Sequence, residues 1–165
     1  MVDSEPDRGP SDPRRIFETL ARHRVDYTTI GGIAVQAHGS TRTTRDVDIV
    51  AASDVDNLER LAAALDELDA RLWGVDADLL GIGLDARTLA EGGNFTLVTQ
   101  AGGLDFFNEV PGGVPDVPYT RLRERSVLVE VGGVPIRVAG KDDLIRMKRS
   151  AGRPRDLADI ATLTT

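Results

Sequence analysis

The sequence predicts an α+β fold with a mixed or largely antiparallel sheet and flanking helices. Segments with helical and strand patterns are mixed along the chain, and short glycine-containing turns join two pairs of strands as hairpins. The chain has 165 residues, of which 41% are hydrophobic and only 4% aromatic, so we expect one domain around an aliphatic core.

The first half of the chain predicts three helices and two strands. Residues 1–12 are polar and proline-rich, so we expect a disordered tail ahead of a single domain over residues 13–165. The first helix begins at Pro13, with Ser11 or Asp12 as its cap. A strand, a short apolar helix, a second strand and a long leucine-faced helix follow over residues 25–31, 32–38, 45–51 and 54–72. The N-cap of the long helix is expected to be Asp54.

The second half predicts two hairpins and a C-terminal pair of helices. The glycine- and aspartate-rich stretch 73–93 shows no clear pattern beyond a short helix around residues 86–90. The remaining segments are a hairpin, a short helix, a second hairpin and two helices, over residues 94–110, 117–125, 126–140, 141–152 and 153–163. The second hairpin turns at Gly132 and Gly133, and Gly152 separates the two helices.

The composition excludes several kinds of chemistry. The chain has no cysteine, so it has no disulfide, no thiolate metal site and no cysteine nucleophile. Its first residues carry acids and prolines instead of the basic and apolar regions of a signal peptide. No stretch approaches the ~18 apolar residues of a membrane span. We therefore expect a cytoplasmic protein without membrane contacts.

The net charge of −7 argues against broad, nonspecific nucleic-acid binding. The basic residues are nevertheless clustered, and such clusters form either solvated helix faces or local binding surfaces. The most prominent cluster comprises Arg146, Lys148, Arg149, Arg153 and Arg155.

Two aspartates lie one residue apart in a predicted buried strand. Asp46 and Asp48 flank Val47, so both carboxylates point to the same face of the strand. Two neighbouring anions that lose hydration are costly unless a cation lies between them. That cation is either an arginine, for which Arg42 and Arg45 are close in sequence, or a divalent metal ion.

A glycine pair lies just upstream, between a predicted strand and a predicted helix. Gly31 and Gly32 would leave backbone N–H groups free to bind phosphate oxygens, because no side chain blocks the approach. The alternative is a simple tight turn. Beside Asp46 and Asp48, the glycines favour a phosphate site next to a divalent cation, and oxygen ligands suit Mg²⁺.

These motifs resemble the DNA polymerase β-like nucleotidyltransferase superfamily. The pattern there is Gly-Gly or Gly-Ser, about a dozen residues, and then Asp-x-Asp in a hydrophobic strand; here 13 residues separate Gly32 from Asp46. The string Arg42, Thr44, Asp46, Asp48 is similar to the branch that includes bacterial toxin-type enzymes of abortive-infection and toxin–antitoxin systems. The resemblance implies a minimal nucleotidyltransferase fold.

The C-terminal helices carry a second match to the same branch. There a lysine faces the nucleotide phosphates and an Arg-x-x-Asp follows, positions that Lys148, Arg153 and Asp156 occupy here. Enzymes of this superfamily use a third carboxylate from a later strand. Asp105 is the best candidate, Glu109 is the reserve, and Glu130 is weaker.

The resemblance implies two-metal-ion nucleotidyl transfer from a nucleoside triphosphate. Asp46, Asp48 and Asp105 would hold Mg²⁺, and Asp105 would also accept the proton of the attacking hydroxyl. The triphosphate would bind through five residues, partly by backbone N–H groups and partly by side chains: Gly31, Gly32, Arg42, Thr44 and Lys148.

The expected acceptor is a macromolecule, with tRNA first in a toxin–antitoxin setting. A protein-modifying (AMPylating) antitoxin acting on a cognate toxin is second, and transfer to a small molecule is third. The competing hypothesis is a catalytically silent relative that binds a nucleotide or a partner protein.

Overall fold

A computed structural model describes residues 7–74, 79, 81, 83–112 and 117–165. In this part of the chain, seven strands form one sheet in the order β3-β4-β5-β2-β1-β7-β6. The strands are β1 Tyr27–Ile30, β2 Val47–Ala51, β3 Arg71–Leu72, β4 Asn94–Thr99, β5 Gly102–Phe107, β6 Val127–Val131 and β7 Val134–Val138.

Seven helices of the described residues flank the sheet. They are α1 Pro13–Arg22, α2 Gly31–Ala37, α3 Val55–Glu67, α4 Ala86–Ala90, α5 Tyr119–Glu124, α6 Lys141–Ala151 and α7 Pro154–Leu163. The predicted caps are confirmed at two of them, since the side chain of Asp12 accepts a hydrogen bond at the start of α1 and that of Asp54 does so at the start of α3.

The sheet is mixed, as the sequence predicts. The two predicted hairpins, β4–β5 and β6–β7, are antiparallel, and so are β1–β2 and β3–β4. The pairs β2–β5 and β1–β7 are parallel. Strand β2 therefore lies in the middle of the sheet, between β1 and β5, and all four residues of β1 are buried.

The core is aliphatic, also as predicted. Among the described residues, Phe17, Tyr27 and Phe106 are the aromatic side chains buried in this core. The rest is mainly valine, leucine, isoleucine and alanine from the sheet and from the helices on either side.

The predicted helix over residues 54–72 is too long. Helix α3 ends at Glu67, Asp69 adopts a positive φ of 50°, and the chain then turns into the two-residue strand β3. There Arg71 and Leu72 pair with β4, and this long-range pairing outweighs the helical pattern of the sequence.

The segment predicted as a disordered tail is described from Asp7 onward, and it lies against the sheet. The backbone N–H of Asp12 donates to the carbonyl of Ala101 at 2.8 Å, and the hydroxyl of Ser11 donates to the carbonyl of Arg45. This segment borders the start of β5 and the residues that precede β2.

None of the helices among the described residues is long and apolar enough to cross a membrane.

Candidate active site

The parallel pairing of β2 and β5 brings three aspartates together. In the register of the two strands, Asp48 lies directly opposite Asp105. Asp46 immediately precedes β2, and the alternation of side chains places it on the same face as Asp48. All three side chains line one cavity of about 420 Å³.

The glycine pair forms another wall of this cavity. Gly31 begins α2 with a φ of +71°, and a methyl group at this position would overlap the carboxylate of Asp48. A methyl group at Gly32 would lie 2.6 Å from Thr44 Oγ1 and 3.1 Å from Arg42 Nη2. Glycine therefore allows the start of α2 to lie directly against Asp48, Thr44 and Arg42.

The cation between the aspartates is Arg8. Its side chain is only 3% exposed, and Nη1 donates to Asp105 Oδ1 at 2.6 Å and to the carbonyl of Leu97 at 2.8 Å. Nη2 lies 2.9 Å from Asp46 Oδ2 and 3.1 Å from Asp105 Oδ2. Burial lowers the pKa of Arg8, but hydrogen bonds and charge from Asp105 and Asp46 raise the pKa by a larger amount. The net effect is a raised pKa, so the guanidinium stays charged.

A second charged network forms the C-terminal wall. Lys148 Nζ lies 3.2 Å from Asp156 Oδ1 and 3.0 Å from Asp159 Oδ2. Arg42 donates from Nε to Asp159 Oδ1 at 3.0 Å and from Nη2 to Oδ2 at 3.1 Å. The two buried carboxylates of α7 thus hold cations from α6 and from the loop before β2, which places Arg42 and Lys148 at the cavity.

Asp156 also stabilises the start of α7. Its carboxylate accepts hydrogen bonds from the backbone N–H and the side chain of Arg153, in a capping box. Burial raises the pKa of the Asp156 carboxyl, but Arg153 and Lys148 outweigh that effect and lower the pKa below its ordinary value of 3.8.

The structure decides two alternatives that the sequence left open. Arg42 forms an ion pair with Asp159, so the predicted pair with Asp46 or Asp48 is wrong for this arginine. Lys148 is 7% exposed, so the alternative of a solvated helix residue is wrong as well.

The candidates for the third carboxylate separate clearly by position. Asp105 lies within β5 opposite Asp48, whereas Glu109 follows the end of that strand. Glu130 belongs to β6, at the edge of the sheet. Asp105 is therefore the one of the three that the sheet places beside the aspartate pair.

The donor set suits a hard divalent cation, because three carboxylates line one cavity and two of them, Asp46 and Asp105, already hold a cation. Among the described residues, no group of three or more His, Asp or Glu side chains is arranged to hold a metal ion as it stands. The guanidinium of Arg8 lies between Asp46 and Asp105, so the residues fit Mg²⁺ once that guanidinium moves.

The predicted basic cluster is not one open surface. Arg146 pairs with Asp143 at 2.8 Å, Lys148 pairs with Asp156 and Asp159, and Arg153 pairs with Asp156 at 2.7 Å. Most of this positive charge is therefore neutralised within the two C-terminal helices.

Two residues of the site went unnoticed in the sequence. Asp159 carries a signal, because Asp156, Asp159 and Leu163 recur at helical spacing and form the buried face of α7. Arg8 carries none, since it is a single arginine in a polar, proline-rich segment.

The mixed sheet, the aspartates on adjacent strands and the glycine turn beside them define the protein as one with a nucleotidyltransferase fold. The chain belongs to the family described as "Nucleotidyltransferase of unknown function (DUF6036)", whose sequence model matches residues 14–164. No curated protein matches the chain in sequence.

Solved structures support the same fold. The lincosamide antibiotic adenylyltransferase LnuA, in its lincomycin-bound form, is 12% identical, with a TM-score of 0.61 over 95% of this chain and 99% of that one. The antibiotic-resistance factor ANT(2″)-Ia, in complex with adenylyl-2″-tobramycin, is 15% identical, with a TM-score of 0.56 over 92% and 84%. A protein of Thermotoga maritima assigned as a nucleotidyltransferase is 13% identical, with a TM-score of 0.57 over 92% and 89%.

These matches confirm the nucleotidyltransferase resemblance at the level of family and fold. The toxin-type branch gains no support from them, since none of the three structures is described as a toxin or an antitoxin.

Proposed function

We propose that the protein is a Mg²⁺-dependent nucleotidyltransferase that moves a nucleoside monophosphate from a nucleoside triphosphate to a hydroxyl group of an acceptor. The observation that carries this proposal is the convergence of Asp46, Asp48 and Asp105 on one cavity, beside the glycine turn at Gly31 and Gly32.

The three aspartates would hold the metal, which supplies Lewis acidity and neutralises phosphate charge when bound. A bond forms between the acceptor oxygen and the α-phosphorus, the bond from that phosphorus to the bridging oxygen of the β-phosphate breaks, and pyrophosphate leaves. Asp105 would accept the proton of the attacking hydroxyl.

The other walls of the cavity would bind the triphosphate. Gly31 and Gly32 line the cavity at the start of α2, and their backbone N–H groups would bind the oxygens of the triphosphate. Lys148 and Arg42 line the same cavity and balance the charge on the leaving pyrophosphate, while Asp159 holds both of them in place. Thr44, against Gly32, is the remaining candidate for a phosphate contact.

For the acceptor we propose a hydroxyl-bearing small molecule first. Two proteins of the same fold are described in complex with an adenylylated aminoglycoside and with a lincosamide antibiotic. The basic cluster also offers little open charge to an RNA backbone, because Arg146, Lys148 and Arg153 are ion-paired.

Transfer to tRNA is the second candidate. Arg153 and Arg155 line the cavity, so they are near any acceptor that enters it. Modification of a cognate toxin or antitoxin protein is tested in the same experiment, although no feature of the site favours it.

Incubation with Mg²⁺ and each α-labelled nucleoside triphosphate tests these proposals, with separate reactions for aminoglycosides and lincosamides, total tRNA and a protein lysate. We expect Asp48→Asn to reduce transfer at least about a thousandfold, because a ligand of the reacting metal is lost. Asp66→Asn, an exposed aspartate of α3, is the matched control and should retain full transfer.

The acceptor that becomes labelled decides between the candidates. Binding of nucleotide without transfer to any acceptor would contradict the proposal and favour a catalytically silent relative.

A further inference from the structure

The N-terminal segment, residues 7–11, places a positively charged side chain where the proposed metal would bind. We propose that Arg8 is a built-in competitor of the metal: its guanidinium closes the acidic site in the free protein, and the segment leaves when a divalent cation binds. The inference rests on the proposed function only for the identity of the cation.

One set of carboxylate oxygen atoms cannot bind both the guanidinium of Arg8 and a metal ion. Arg8 engages both carboxylate oxygens of Asp105, at 2.6 and 3.1 Å, and one oxygen of Asp46 at 2.9 Å. A metal held by the same carboxylates needs these lone pairs and the space between them. Binding of the metal therefore requires the guanidinium to leave.

The site has room for the guanidinium of Arg8 but does not provide a partner for each of its hydrogen-bond donors. A methyl group at Gly103 would overlap both the carboxylate of Asp46 and the guanidinium of Arg8. Arg8 Nε is buried without a hydrogen-bond partner, although every other nitrogen of the group is engaged. A buried donor left unpaired is a cost that release of the segment would remove.

The segment is attached to the domain more firmly at its carboxyl end than at Arg8. Its carboxyl end is fixed, because the backbone N–H of Asp12 donates a hydrogen bond to the carbonyl of Ala101 and the side chain of Asp12 caps α1. Between Arg8 and this anchor lies Gly9, which has a φ of +88° and no atom within 4 Å of the place where a methyl group would lie. On the other side, Asp7 makes an exposed ion pair with Arg45 at 3.4 Å. Asp7 and Arg8 can therefore swing away from the site about Gly9, while Ser11 keeps its hydrogen bond to the carbonyl of Arg45 and α1 is undisturbed.

Trypsin tests the proposal directly, because it must take the Arg8 side chain into its own specificity pocket to cut the Arg8–Gly9 bond. In the unmodified protein without metal we expect slow release of the peptide 1–8, measured by mass spectrometry. Saturating Mg²⁺, alone or with a non-hydrolysable nucleoside triphosphate analogue, should speed this cleavage about tenfold, since proteolysis follows the open population.

Cleavage after Arg15, within α1, is the internal control and should keep its rate. An unchanged rate at Arg8 while calorimetry shows that Mg²⁺ is bound would overturn the proposal.

Metal affinity gives a second, independent readout. Arg8→Ala should bind Mn²⁺ or Mg²⁺ about tenfold more tightly than the unmodified protein in calorimetry, because the competing cation is gone. Arg14→Ala, which removes an exposed arginine paired with Glu18, is the matched control and should bind as the unmodified protein does.

Weaker metal binding by Arg8→Ala would overturn the proposal, because it would show that Arg8 stabilises the geometry of the metal site instead of competing with the metal. Should Arg8→Ala fail to fold, the trypsin experiment on the unmodified protein still decides. Loss of transfer activity with metal binding and release intact would count against the proposed function alone.

Discussion

Asp48 and Gly31 show at the scale of single residues how closely this site is built. The carboxylate of Asp48 occupies the space in which a side chain at Gly31 would lie, and Gly31 also has a positive φ. Two separate penalties therefore oppose any substitution here, one from backbone strain and one from overlap with a candidate catalytic residue.

Gly31→Ala and Gly74→Ala separate these penalties. Gly74 has nearly the same φ, +72° against +71°, but no atom lies within 4 Å of a methyl group there. We expect Gly74→Ala to lower the free energy of unfolding by about 1 kcal/mol through strain alone. Gly31→Ala should cost a further ~1–3 kcal/mol through overlap and should also impair transfer. Urea denaturation of both variants measures the difference, and equal losses would contradict the overlap argument.

The same scale shows which site residues a sequence can reveal. The two aspartates around Val47 stand out because carboxylates are rare in an apolar strand, and the glycine pair stands out because it lies between a strand and a helix. Arg8 could not be found in this way. Its position follows from tertiary contacts with Asp46 and Asp105, which lie 38 and 97 positions further along the chain. Nothing in the local sequence around Arg8 requires these contacts.

At the scale of secondary-structure elements, helices α6 and α7 act as one unit. Asp156 stabilises the first turn of α7 and also binds Lys148 of α6, so a single carboxylate joins helix capping to the packing of the pair. Because its pKa is lowered in the folded protein, its contribution to stability is present above the ordinary value of 3.8 and is lost as the pH falls through the folded pKa.

Comparison of the unmodified protein with Asp156→Asn measures this contribution. Near pH 7 we expect the variant to be less stable by about 2 kcal/mol, because Lys148 and Arg153 lose a buried partner. The gap should narrow as the pH falls below about 4, where the native carboxyl also takes up a proton. Urea denaturation across this range provides the measurement, and a gap that is constant with pH would show that the charge of Asp156 is not what stabilises the helix pair.

Elements were predicted well where the signal is local. The caps at Asp12 and Asp54, the turn at Gly132 and Gly133, and the break at Gly152 all depend on a few neighbouring residues, and all are confirmed. The two-residue strand β3 and the parallel pairings could not be predicted, because they depend on strands distant in sequence.

At the scale of the whole molecule, one sheet carries both the core and the site. Strand β2 contributes buried residues to the core and Asp48 to the cavity, and its two neighbours come from opposite halves of the chain. The acidic site can therefore form only when the centre of the sheet has formed.

We accordingly expect residues 13–165 to unfold as a single cooperative unit. The chain has one tryptophan, Trp73, whose backbone N–H donates a hydrogen bond to the carbonyl of Thr96 beside the β3 edge of the sheet. The fluorescence of Trp73 therefore reports on that edge. Far-UV circular dichroism reports on all helices and strands together. The two denaturation curves should coincide. An earlier fluorescence transition would show instead that the β3 edge unfolds independently.

The attachment of Arg8 to the same polypeptide as its two carboxylate partners has one more consequence. A cation taken up from solution dissociates when its concentration falls, whereas a tethered one has an effective concentration fixed by the length of the intervening chain. Dilution of the protein leaves the occupancy of the acidic site by this guanidinium unchanged. Only a rival ion, or a shorter or longer tether, alters that balance.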